Sequence, residues 1–95
     1  MEGTNMDLGP SNDTQADLNR RRALISKANG ICFEVANQLG DRDTAEESAA
    51  YLQKRIANAT MRHIASAEDY LQDYNPARAQ LAHEHLIRLF NLYRV

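Results

Sequence analysis

The stretch HEHLIRLF, His83 to Phe90, contains the residues best suited by type to do chemistry, because imidazoles beside a carboxylate are the material of acid–base catalysis and of metal sites. Their spacing argues against both. Successive helical residues are rotated by about 100°, so His83 and His85 project about 200° apart and cannot hold one ion from one face. Helical metal ligands recur three or four residues apart, yet four residues from His83 stand Ala79 and Ile87, and four from His85 stand Leu81 and Leu89. Glu84 and Arg88, four apart, read as a solvated ion pair. His63 differs from both, since it lies within an apolar stripe between Ala59 and Ala67. It is expected as a buried core histidine bonded to a tyrosine or a carbonyl, with a pH-sensitive contact as the second reading.

Nucleophilic chemistry finds no better footing. Cys32, the sole cysteine, falls on the apolar side of a helical pattern, where a thiol packs as inert filling, and it rules out an internal disulfide. The acids Asp41, Asp43, Glu46 and Glu47 lack the glycine and distal glutamate of a calcium loop and are better explained as helix-capping residues. Neither a glycine-rich phosphate loop nor a zinc signature occurs. A non-enzymatic protein without cofactor or metal is therefore expected.

The only cationic concentration is Arg20, Arg21 and Arg22, with Lys27 one to two turns later. Three consecutive helical residues fan across about 200° and make no single phosphate-tracking stripe. Glu2, Asp7 and Asp13 supply part of the formal net charge of −2, so the remainder of the chain is close to neutral. Nucleic acid is held by an excess of cations, so a nucleic-acid-binding regulator using these four residues stands as the alternative rather than the first reading.

Three elements must position these side chains. Residues 1–13, rich in Gly, Asn, Asp and Pro, read as a flexible tail ahead of one domain over 14–95. Leu24, Ala28, Ile31, Val35 and Leu39 then step by four, three, four and four, which predicts a first helix over about 14–39, closed by Gly40. A second stripe from Ala45 through Leu52, Ile56, His63 and Ala67 to Tyr74 meets no Gly or Pro, predicting one long central helix over 44–74 capped by Thr44 or Asp43. At 1.5 Å per residue that is a rod of about 45 Å. Asn75 and Pro76 are an N-cap and a first-position proline for a third helix over 76–93. The predicted fold is a small all-α three-helix bundle.

No apolar run approaches the length of a membrane span, and the first residues show neither a basic nor an apolar signal region, so a cytoplasmic protein is expected. The third helix sets the functional expectation. Leu81, Leu86, Leu89, Phe90 and Tyr93 with their neighbours cover an arc of about 180°, wider than the roughly 100° that one packed face needs. Phe33, Tyr51 and Met61 also leave the stripes of their helices. This surplus predicts association through Phe33, Tyr51, Met61, Leu86, Ile87, Phe90 and Tyr93. The expected activity is binding: a homodimer that docks on a partner protein, such as a transcription factor, and modulates or inhibits it.

Overall fold

The computed structural model describes residues 14–91. The expected tail over 1–13, and Tyr93 among the expected contact residues, lie outside that range. α1 (Gln15–Leu39) begins at a reciprocal cap, in which the Thr14 hydroxyl accepts from the Asp17 amide at 3.1 Å and the Asp17 carboxylate accepts from the Thr14 amide. Its buried side carries Leu24, Ala28, Ile31, Cys32 and Ala36, three of them in the predicted period, while Val35 is half-buried and Leu39 exposed. Gly40 ends it in the left-handed conformation at φ 74°, which a side chain would strain.

α2 (Arg42–Asn58) starts two residues earlier than expected. Asp41 is the cap, accepting from the Thr44 amide at 3.0 Å and from its hydroxyl at 2.6 Å. These two bonds favour the carboxylate and hold Asp41 below its ordinary pKa. Thr44 and Asp43 belong to the first turn instead.

The single central rod is not formed. α2 stops at Asn58, Ala59 and Thr60 are both extended, and α3 (Met61–Tyr70) starts afresh with Thr60 as its N-cap. Neither Gly nor Pro causes the break. Asn58 turns its amide back onto the Lys54 carbonyl at 2.9 Å, and the Arg21 guanidinium from α1 donates to the carbonyls of Ile56 at 2.8 Å and Ala57 at 3.5 Å. Carbonyls at a helix C-terminus have no intrahelical donor, and a long-range arginine supplies one here.

Two 3₁₀ turns, Leu71–Asp73 and Pro76–Arg78, carry the chain round to α4 (Ala79–Asn91). Asn75 accepts from the Ala77 amide at 2.9 Å, so the predicted cap and proline both stand. The pairing of Arg21 near the start of α1 with Ile56 near the end of α2, and the closeness of α1's end to α2's start, make α1 and α2 an antiparallel hairpin, while Arg20 ties α1 to Glu68 of α3. α4 lies against that hairpin, with Gln80 beside Gln38 at one end and Asn91 beside Tyr51 at the other. Ala82, Leu86 and Phe90 of α4 join Leu24, Ile31, Leu52, Ile56 and Ile64 in one core. The all-α bundle is thus four helices in an envelope of 50 × 25 × 20 Å. Among the described residues no helix is long and apolar enough to cross a membrane.

Candidate functional site

α1's last turns, α2's first and the start of α4 meet at one corner. Gln38 is the joint: its amide donates to the Pro76 carbonyl at 2.9 Å, and its carbonyl accepts from Gln80 at 3.0 Å. Cys32, Val35, Leu39, Asp41, Ser48 and His83 there line a niche of about 50 Å³. On its outer side His83 continues into a shallow groove with Glu84, Ile87 and Arg88. Leu39 is 62% exposed at this corner, in the last residue of α1 before the chain turns away at Gly40. Sequence periodicity places Leu39 in the core stripe and Gly40 at the helix end, but not where that end lies relative to α2 and α4.

Burial holds the His83 imidazole below its ordinary pKa, with Glu84 opposing the shift. Desolvation has the same effect on His63 and His85, aided by Arg62 and Arg88 respectively. The unfolded chain therefore takes up protons first as pH falls through 6.5. Stability is greatest above that value and declines as pH drops through the lower folded-state values. Urea unfolding followed from about pH 7.5 to about pH 5 should show a falling midpoint, and His83→Gln should flatten the decline. An unchanged slope in that variant would assign the dependence to other groups.

The remaining predicted residues are dispersed. Leu86 and Phe90 are 0% and 1% exposed, so they are core residues and the expectation of surface anchors there is corrected. Ile87 is half-buried at the groove. Phe33 is 39% exposed beneath the Arg42 guanidinium, 5.8 Å from the ring centre. Tyr51 is half-buried, donating to the Asn91 side chain at 2.8 Å with Arg55 above its ring, and Met61 packs partly against the core. His63 is not at the centre of the core. It stands half-buried in the first turn of α3, its Nδ1 2.6 Å from the Thr60 hydroxyl. The helix break moves it there, because the stripe that included it assumed a continuous rod.

His85 stacks on Tyr70 with ring centres 3.7 Å apart and planes 9° from parallel, a packing contact. Burial pushes the Cys32 thiol up to about 11, which suppresses the thiolate that a nucleophile needs. Of the basic cluster, Arg20 clasps Glu68 and Arg21 is buried against the end of α2. Arg22 and Lys27 remain exposed. Comparison with known protein families, characterised proteins and solved structures found no match to this chain. Geometry and side-chain chemistry alone bear on what its surface does.

Proposed function

We propose that this chain is a non-enzymatic regulatory module, a homodimer that docks on a partner protein and modulates or inhibits it, as an anti-activator of a transcription factor does. The exposed Leu39 carries this reading: it stands with Val35, His83 and Ile87 at a corner built from three helices, with Glu84 and Arg88 at its rim. An apolar centre with a charged edge is the anatomy of a binding hot spot, and an amphipathic helix of the partner fits a corner of this kind. The nucleic-acid alternative is served less well, because two of its four cations, Arg20 and Arg21, are engaged within the chain.

A double substitution, Leu39→Asp with Ile87→Asp, tests the reading. The full chain, immobilised, should capture a partner from the source cells, and the double variant should lose it while keeping its circular dichroism spectrum. Retention of every interactor by the folded variant would overturn the proposal. Capture of nucleic acid instead, lost steeply with added salt, would favour the alternative.

A further inference from the structure

On the outer side of α1, Gly30 stands exposed in mid-helix, and a methyl group placed on it would meet nothing within 4 Å. Glycine destabilises a helix interior relative to alanine, and no close approach among the described residues accounts for it. Phe33 beside it is partly exposed, and the two line an open groove of about 610 Å³ with Glu34, Asn37 and Arg42. Lys27 and Glu34 stand three residues before and four residues after Gly30. Neither has an ion-pair partner among the described residues; Glu34 accepts only the Gln38 amide at 3.2 Å. At about 100° per residue, Lys27 and Glu34 fall within about 20° of one another on one flank of Gly30, and Phe33 falls on the other flank.

We infer that a second copy of this chain covers this face, α1 against α1, antiparallel about a two-fold axis beside Gly30. This deepens the homodimer part of the proposed function and rests on it. A two-fold axis perpendicular to both helices keeps each flank on its own side. Lys27 therefore meets Glu34 of the second copy, and Glu34 meets Lys27 of the second copy, so one charge pattern is satisfied twice. Phe33 of each copy fills the space left beside the opposite Gly30. A parallel pairing has its two-fold axis along the helices and swaps the flanks, so Lys27 and Glu34 would face the Phe33 side of the second copy and neither charge would be paired. On this flank Lys27 is balanced by Glu34, so the face offers a polyanion such as nucleic acid no excess of cations there. The face is complementary to itself only in the antiparallel sense.

Sedimentation of the full chain over a concentration series tests this. The wild type should be a dimer. Lys27→Glu and Glu34→Lys should each weaken it by about tenfold at low salt, since either change replaces two attractive contacts by two repulsive ones. The double exchange, Lys27→Glu with Glu34→Lys, should restore wild-type association. Gly30→Leu should yield a monomer with undiminished helix content, because in the single chain its side chain enters open space. A wild type that stays monomeric to millimolar concentration overturns the inference, and so does a dimer indifferent to all four variants. Loss of dimer in the three single variants with its return in the double exchange, alongside unchanged partner capture by the Leu39→Asp/Ile87→Asp protein, would support this interface while overturning the docking corner.

Discussion

Phe90→Ala lowers folding stability by about 3–5 kcal/mol, the usual cost of removing a buried phenyl ring and leaving a cavity. Phe90 is 1% exposed and is the largest of the fully buried side chains. A chain of this size has a total stability of about 4–12 kcal/mol, so the variant should be marginal or unfolded at room temperature. Leu81, on the same helix but 58% exposed, supplies the contrast: Leu81→Ala should stay within about 0.5 kcal/mol of the wild type. Urea unfolding of the two variants separates the buried and open sides of α4. Equal midpoints would mean that α4 is not seated on the hairpin with Phe90 beneath it.

That contrast also explains what the α4 sequence conveyed and what it withheld. Its broad apolar arc was legible, but the inference that one neighbour could not bury it assumed packing against a single flat face. α4 instead contacts α1, α2 and α3, and a helix held among several neighbours buries a wider sector than one laid on a plane. Leu86 and Phe90 thereby pass from candidate anchors to core residues. The local signals are more faithful: the spacing from Leu24 through Ala28 to Ile31, the glycine that closes α1 and the Asn75-Pro76 start all depend on neighbours in sequence. Of the candidate site, Ile87 was visible as an apolar residue off the main arc. Leu39 was not, because its exposure follows from the position of a helix end relative to other elements.

The break at Ala59 and Thr60 shows the same division between local and distant causes. Asn58 and Thr60 permit a stop and a restart, yet a continuous apolar period runs straight through them. The donor that stabilises the stop, Arg21, lies 35 residues away in sequence. No window short enough to read periodicity contains both partners. Periodicity alone therefore puts His63 in the core stripe and leaves Arg21 looking like a surface cation, although that residue is only 9% exposed.

Arg21→Met should destabilise the fold by about 2–3 kcal/mol, because it strips a charge-assisted donor from the last carbonyls of α2 and leaves them buried. Arg55→Met should behave differently. The Nε and Nη2 atoms of Arg55 are shielded from solvent and have no hydrogen-bond partner among the described residues, so they lack the compensating bonds that Arg21 makes there. Its stacking on Tyr51, with 5.5 Å from guanidinium to ring centre, returns about 0.5–1 kcal/mol. Methionine keeps the apolar stem and removes the unmatched donors, and these effects nearly cancel, placing Arg55→Met within about 1 kcal/mol of the wild type. Both arginines occupy helices of the same hairpin and both substitutions delete one positive charge, so the pair controls for net charge and for the loss of a long side chain. Urea midpoints for the two variants, measured at the same pH and salt, decide the matter. If Arg21→Met costs no more than Arg55→Met, the carbonyl bonds do not hold α2's end, and the separation of α2 from α3 needs a cause other than Arg21.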